Sequence, residues 1–158
     1  MKKKNILIVL SVTLLIMVDQ ISKSLISRYV IEYSDIKLIP NFLNFTYIKN
    51  YGAAFGILEG KTIFFIIMTI LALSYLIYEL IKNKDNKYYS ISLVLIISGI
   101  IGNFIDRIFF GYVRDFISFK IFDPVFNIAD SFIVIGVVIF LFYSIVGEKN
   151  ENKKRMDK

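Results

Sequence analysis

Four long runs of apolar residues constrain this chain more than any other feature of its sequence. Hydrophobic residues make up 56% of the chain, and they are gathered into these runs rather than scattered. An α-helix of about 20 residues is long enough to cross the roughly 30 Å hydrocarbon core of a bilayer. We therefore predict an α-helical membrane protein, a single integral membrane domain over residues 1–158. Its four transmembrane helices are expected at residues 5–26, 62–81, 88–106 and 127–146.

The first run also has features of a cleaved signal peptide. Lysines occupy positions 2–4 before it, and Ser22 and Ser24 form a small-x-small triplet just beyond it. Against this reading, Lys23 lies at the centre of the triplet and Asp19 interrupts the approach to it. We favour a retained first helix.

The basic residues predict how the helices are oriented. If the helices alternate from a cytoplasmic N-terminus, the inner segments (residues 2–4, 79–87 and 147–158) carry the whole net charge of +6, and the outer segments are neutral. Basic residues favour the cytoplasmic side, so both termini are predicted to lie there. The charge is then an orientation signal rather than a nucleic-acid-binding surface. Residues 147–158 are expected to form a solvated, disordered cytoplasmic tail.

The absence of two residue types narrows the chemistry. The chain contains no histidine and no cysteine. Serine–histidine–aspartate triads, cysteine–histidine pairs and zinc sites built on these residues are therefore excluded. Any catalysis must use Asp, Glu, Lys, Ser, Thr or Tyr, or a metal held by carboxylates.

Two outer segments separate the predicted helices. The first, residues 27–61, alternates apolar and polar side chains at 36–39 and again at 42–48. This alternation predicts short strands on the membrane surface, a small extracytoplasmic β-rich segment. The second, residues 106–130, contains four acids, and ionisable residues at membrane depth are candidates for function.

Polar residues in and around the second segment have helical spacing. Asn103, Asp106 and Arg107 share one face at the end of the third helix. Asn127 and Asp130 are three residues apart at the start of the fourth. Structural roles are open for all of them: Asp106 and Arg107 can form an interfacial ion pair, and an acid at position 130 suits a helix N-terminus.

Two further acids are ambiguous by spacing alone. Asp115 can be an ordinary loop acid or one member of a catalytic pair with Asp130. Asp19 and Lys23 are four residues apart, so an intrahelical ion pair is as good a reading as a functional site.

Five short motifs change this balance. They are Asp19-Gln-Ile-Ser-Lys23, Asn50-Tyr-Gly-Ala-Ala-Phe-Gly56, Gly102-Asn-Phe-Ile-Asp-Arg107, Gly111-Tyr-Val-Arg-Asp-Phe116 and Phe126-Asn-Ile-Ala-Asp-Ser131. In this order, and over nearly the whole chain, the sequence resembles the bacterial lipoprotein signal peptidases (signal peptidase II), which are membrane aspartyl peptidases. One such motif would be weak evidence for the family, whereas five in the same order are specific to it.

The resemblance implies a site and a substrate. The catalytic pair of the family falls on Asp115 and Asp130. Supporting polar residues, including those that contact substrate, fall on Asp19, Asn50, Asn103, Asp106, Arg107 and Asn127. Arg114 departs from the family, which often has an apolar residue there, and is expected to alter the electrostatics of the pair. The small residues of segment 50–56 are expected to form a substrate-contacting edge beside the pair.

By the same resemblance, the chain is an endopeptidase of the bacterial cytoplasmic (inner) membrane, with its active site near the extracytoplasmic face. Its substrates are prolipoproteins whose cysteine already bears diacylglycerol, and cleavage just before that cysteine removes the signal peptide. Membrane lipids and globomycin-type inhibitors are expected partners, and no cofactor or metal is expected. Two close carboxylates would share one proton and titrate as a pair.

Other classes of function were weighed against this reading. A membrane transferase using Mg²⁺ held by carboxylates is disfavoured because no DxxD motif occurs. A serine–lysine peptidase built on Lys23 with Ser22 or Ser24 is disfavoured because adjacent residues on a helix do not face each other. A transporter or scaffold without enzymatic activity remains a third class.

Overall fold

The computed structural model describes residues 2–32, 34–52 and 59–156, which form four helices and four strands. The helices are α1 (Lys2–Tyr29), α2 (Thr62–Asn83), α3 (Lys87–Phe110) and α4 (Ile128–Met156). The strands are β1 (Asp35–Ile39), β2 (Leu43–Asn50), β3 (Val113–Phe119) and β4 (Phe122–Phe126).

All four helices are long and apolar enough to cross a membrane, which confirms the predicted fold class. Large apolar side chains such as Leu7, Phe109 and Phe142 are exposed on their outer surfaces. In water this would be a liability, but lipid-facing helices require it. One expectation is wrong: α4 continues to Met156, so the segment predicted as a disordered tail is helical. Nothing after Gly147 opposes a helix, because this stretch has neither proline nor β-branched residues.

Small residues bring α3 and α4 into close contact. A Cβ atom added to Gly99 would lie 2.3 Å from the Ala129 carbonyl oxygen, and one added to Gly136 would lie 2.8 Å from the Ser92 carbonyl oxygen. Neither distance is possible for a real side chain, so glycine is required at both positions. Close backbone approach of this kind drives helix association where lipid supplies no hydrophobic force. The two helices are thereby fixed at the depth where the polar residues lie.

The four strands form one antiparallel sheet in the order β1-β2-β3-β4. The strands expected in residues 36–48 are confirmed, whereas β3 and β4 were not predicted. The first half of β3 is buried between its two neighbours, and buried strands do not alternate in polarity. Phe116 on β3 packs against Ile26 of α1, Val30 just after that helix and Tyr47 of β2, which seats the sheet on the end of α1.

The ends of the helix bundle differ in chemistry. Lys4 near the start of α1 forms a 3.0 Å ion pair with Asp85 in the α2–α3 loop. The sheet lies at the opposite end, where α1 and α3 finish and α4 begins. α3 ends at Gly111, whose φ of 80° is a left-handed conformation that glycine adopts without strain, and its N–H donates to the Arg107 carbonyl. This turn directs the chain straight into β3.

Candidate active site

The first turn of α4 positions Asp130. The Asn127 backbone N–H donates to Asp130 Oδ2 at 3.0 Å, and the Asp130 N–H donates to Asn127 Oδ1 at 3.0 Å. This reciprocal pattern is a capping box, which satisfies backbone donors that a helix start leaves unpaired. The spacing of three residues between Asn127 and Asp130 is the sequence signal for it. The hydrogen bonds that begin the helix therefore also fix the carboxylate of Asp130.

Asp115 lies on β3 and is buried. Its Oδ1 accepts a 2.6 Å hydrogen bond from Asn127 Nδ2, and its Oδ2 accepts a 2.8 Å hydrogen bond from Asn50 Nδ2. Burial and the nearby charge of Asp130 raise the pKa of Asp115 to about 7, and the two amide hydrogen bonds and the charge of Lys23 oppose that rise. At neutral pH this carboxyl group can therefore both hold and release a proton.

Two asparagine side chains connect the carboxylates. Asn103 Nδ2 donates to Asp130 Oδ1 at 2.7 Å, and Asn127 Nδ2 donates to Asn103 Oδ1 at 3.1 Å. Since Asn127 Nδ2 also donates to Asp115, a continuous set of amide hydrogen bonds links the two acids. These four residues were expected at one site, and the structure brings them together.

A cavity of about 980 Å³ opens onto both carboxylates. Its polar lining includes Asn50, Asn103 and Arg107. Its apolar lining comes from β4 and from α4, for example Val125 and Val134. The cavity therefore offers both a hydrogen-bonding end beside the acids and an apolar side formed partly by β4 and α4.

Behind the two acids lies a cluster of four buried charges: Asp19 and Lys23 of α1, Asp106 of α3 and Arg114 of β3. Lys23 Nζ lies 2.9 Å from Asp19 Oδ2 and 3.7 Å from Asp106 Oδ2. Arg114 Nη2 lies 2.7 Å from Asp106 Oδ1. The cluster has no net charge, which buried ionic groups require.

Gln20 and two backbone groups complete this charge cluster. The side chain of Gln20 donates to Asp19 and to Asp106 and accepts from Arg114. The Ala129 N–H in the first turn of α4 donates to Asp19 Oδ1 at 3.0 Å. The Arg114 N–H donates to Asp106 Oδ2 at 2.9 Å. The cluster therefore holds together α1, α3, the start of α4 and the residue next to Asp115.

The predicted ion pair between Asp106 and Arg107 is wrong. Neighbouring residues on a helix point in different directions. Arg114, which the turn at Gly111 brings back beside α3, is the residue that reaches Asp106. Arg107 instead donates to the Gly52 carbonyl oxygen at 3.1 Å and lies 4.9 Å from the centre of the Phe65 ring.

Arg114 has a clear structural role that the sequence did not reveal. Successive side chains of a strand point to opposite faces, so Arg114 points away from Asp115. Its guanidinium is engaged by Asp106 through two side-chain hydrogen bonds. The negative charge of Asp106 therefore lies beside Arg114 and offsets the effect that its positive charge would have on Asp115 and Asp130.

Sequence reasoning missed Gln20, Lys23 and Arg114 as members of the site. The spacing of Asp19 and Lys23 was the available signal, and the structure confirms the intrahelical ion pair. This ion pair also contacts the candidate catalytic region, because Lys23 Nζ donates to Asn103 Oδ1 at 2.9 Å. In segment 50–56, Asn50 borders the cavity and its Oδ1 accepts from the Gly52 N–H. Residues 53–56 of the predicted substrate edge lie outside the described residues.

Within residues 2–32, 34–52 and 59–156, no group of three or more carboxylates is placed to hold a metal ion. Each oxygen of Asp115 and Asp130 instead accepts a hydrogen bond from an N–H group.

Comparison with known proteins places the chain in a family. A family profile described as "Signal peptidase (SPase) II" matches residues 11–146. The chain is 46% identical over 128 residues to a lipoprotein signal peptidase of Caldanaerobacter subterraneus subsp. tengcongensis, covering 81% of this chain and 88% of that one. It is 43% identical over 138 residues to a lipoprotein signal peptidase of Enterococcus faecalis, covering 86% of each chain.

A solved structure of a bacterial membrane enzyme, determined by the in meso method at 2.3 Å resolution, is also similar. It superposes with a TM-score of 0.86 at 39% identity and covers 90% of each chain. The sequence profile covers most of the chain, and the fold agrees with it over nearly the same extent. This chain belongs to the signal peptidase II family.

Proposed function

We propose that this protein removes the signal peptide from diacylglyceryl-modified prolipoproteins, with Asp115 and Asp130 as its catalytic residues. The observation that carries the assignment is the arrangement of these two carboxylates. They line one cavity and are joined through Asn103 and Asn127. Cleavage is proposed to occur just before the lipidated cysteine, as the resemblance to lipoprotein signal peptidases implies.

The two acids would act with one shared proton. The ionised carboxylate takes a proton from a water molecule as the water oxygen attacks the scissile carbonyl carbon. The protonated carboxyl donates its proton to the carbonyl oxygen, which gives a tetrahedral diol. The first acid then returns its proton to the leaving amide nitrogen as the carbon–nitrogen bond breaks, and the second recovers the proton from the diol. Proton transfer of this kind contributes about 10²–10⁴-fold to rate.

The supporting residues are proposed to hold this arrangement rather than make bonds. Asn50 and Asn127 donate to Asp115, and Asn103 donates to Asp130. Asp19 and Asp106 belong to the buried charge cluster behind the site. Arg107 lines the cavity and holds the Gly52 carbonyl, which suits a role in substrate binding.

The lining of the cavity suits a lipidated peptide. Its apolar side, formed partly by Ile133 and Val134 of α4, borders the membrane-spanning region. A signal helix and acyl chains would approach from the bilayer, while the polar end would receive the peptide bond. We place both termini in the cytoplasm and the site near the extracytoplasmic face, because the net positive charge lies on the segments opposite the sheet.

The serine–lysine alternative has no support in the geometry. The Ser22 hydroxyl donates to the Asp19 carbonyl, and Lys23 Nζ is engaged by Asp19 and Asn103. The hydroxyl and the amine therefore make their hydrogen bonds to other groups and not to each other, as a serine–lysine pair would require. The first helix also supplies buried residues of the site, which favours its retention over removal as a signal peptide.

The test is cleavage by purified protein of two synthetic precursors, one lipidated on cysteine and one not. We expect cleavage of the lipidated precursor alone, unaffected by chelators and blocked by a globomycin-type inhibitor. Asp115→Asn and Asp130→Asn should each abolish it, because asparagine keeps the shape but cannot exchange the proton. The double variant should be no worse than either single one, since the two acids act as a unit.

Asp123→Asn is the matched control, since it changes an acid of the same sheet that matches no family motif. It should retain activity. Near-normal turnover by Asp115→Asn or Asp130→Asn would refute the assignment. The rate should also fall at both extremes of pH, because only the singly protonated pair is active. A rate that rises steadily with pH would point to a different base.

A further inference from the structure

The side chain of Asn103 lies between Lys23 and Asp130 and forms a hydrogen bond with each. Asn103 Oδ1 accepts hydrogen bonds from Lys23 Nζ at 2.9 Å and from Asn127 Nδ2 at 3.1 Å. An ammonium group has donors only, so it can meet the oxygen of the amide but not its nitrogen. The amide nitrogen is thereby left to face Asp130, to which it donates at 2.7 Å.

The position of Lys23 is itself tightly fixed. Its side chain is completely buried, and so is that of Asp19, its partner one helical turn earlier. Asp19 in turn accepts from the Ala129 N–H at the start of α4. A Cβ added to Gly102 would lie 2.6 Å from Asp19 Oδ2, so the backbone of α3 also closes on this pair. The ammonium group therefore has no room to move away from Asn103.

We propose that Lys23 is a positioning residue that locks the Asn103 amide with its N–H toward Asp130, which keeps Asp130 able to accept a proton. This rests on the catalytic role proposed for Asp115 and Asp130. If the amide turned over, its oxygen would face Asp130, and the only stable contact would require Asp130 to carry the proton. Asp130 would then have lost the ability to act as a base.

Several charged groups around the two acids also affect the pH dependence of the rate. They are Asp19 and Lys23 from α1, Asp106 and Arg107 from α3, Arg114 from β3, and Lys49 and Glu59 at the cavity. Removing Lys23 alone would leave the buried cluster with an uncompensated negative charge and destabilise the fold. The Lys23 variants are therefore combined with Asp19→Asn, so that the double variant loses one charge of each sign and keeps a neutral cluster like that of the parent. Asp19→Asn alone carries one positive charge in excess.

The decisive comparison is between Asp19→Asn and Asp19→Asn/Lys23→Met. We expect Lys23→Met to lower kcat for the lipidated precursor about 100-fold, the lower end of what positioned proton transfer contributes. The KM should change little, because Lys23 is buried behind the site. The acidic limb of the pH–rate profile should move to higher pH by about one unit, since the positive charge and the fixed donor both favour an ionised acid.

A double-mutant cycle separates this role from a structural one. If Lys23 acts through Asn103, then Lys23→Met should change kcat little further once Asn103→Ala is present. An equal loss in both backgrounds would overturn the proposal, as would a kcat for Asp19→Asn/Lys23→Met close to that of Asp19→Asn.

Lys23→Gln in the same background serves if the methionine variant does not accumulate. Glutamine can pair with either end of the Asn103 amide, so it removes the lock with little loss of packing. It should also lower kcat and shift the acidic limb, and an unchanged profile would refute the proposal. Failure of this proposal can be told apart from failure of the catalytic assignment. The catalytic assignment fails if Asp115→Asn is active, whatever the activity of the Lys23 variants.

Discussion

Asp115 is expected to make the folded protein less stable as the pH rises towards neutrality. Its pKa in the folded state is about 7, against 3.8 for an exposed aspartate. Between these values the folded protein holds a proton that the unfolded chain releases, so raising the pH favours unfolding. A pKa difference of about three, at about 1.4 kcal/mol per unit, corresponds to about 4 kcal/mol in all. About 2–3 kcal/mol of this develops between about pH 5 and about pH 8.

Asp115→Asn removes this dependence because asparagine does not titrate. The thermal midpoint of the variant, relative to that of the parent, should therefore rise by about 4–12 °C between about pH 5 and about pH 8. Facing two amide donors, the asparagine side chain costs some stability at every pH, but that cost is constant and leaves the slope unchanged. Thermal unfolding in a mild detergent, followed by circular dichroism, suits a chain that has neither tryptophan nor cysteine.

Asp85→Asn is the control, because Lys4 lowers the pKa of this exposed acid. A lowered pKa adds stability that is lost only when the pH falls below the pKa of a free aspartate. The thermal midpoints of this variant and of the parent should therefore differ by a constant amount between about pH 5 and about pH 8. Parallel curves for Asp115→Asn and the parent, or a midpoint of the variant that falls relative to that of the parent as the pH rises, would refute the reasoning.

Three other expectations follow from the packing and the charges. Gly99→Ala should lower the amount of folded protein recovered from membranes, because the added Cβ would lie 2.3 Å from a carbonyl oxygen of α4; normal recovery would contradict this contact. Arg107→Ala should raise the KM for lipidated precursor without reducing abundance, since the cationic partners of Asp106 are Lys23 and Arg114 rather than Arg107; loss of the protein from membranes would show a structural role instead. Single cysteines at Lys84→Cys and Asp123→Cys should react with an impermeant thiol reagent from opposite sides of the membrane, and labelling from one side would exclude the alternating topology.

The sequence was sufficient to predict elements whose signal is local. The four spans follow from apolar runs, and the Asn127–Asp130 spacing indicates a helix start that carries an acid. By contrast, the partner of Asp106 could not be predicted, because the turn at Gly111 decides which basic residue comes back to it. Arg107 was nearer in sequence, but Arg114 is nearer in space. The strand carrying Asp115 was missed for the same reason, since its pairing with β2 joins residues far apart along the chain.

The charge cluster also bears on how the protein enters the membrane during synthesis. Charged side chains in a transmembrane helix are costly, by about 2.5–3.5 kcal/mol each on insertion scales. Asp19 and Lys23 are one helical turn apart, so the first helix can be inserted with its charges already paired, before the rest of the chain has been made. Asp106 likewise has Arg114 only eight residues downstream. Each charge of this cluster therefore has a partner of opposite sign close to it along the chain, so none of the four has to stay unpaired in lipid until a later helix has been synthesised.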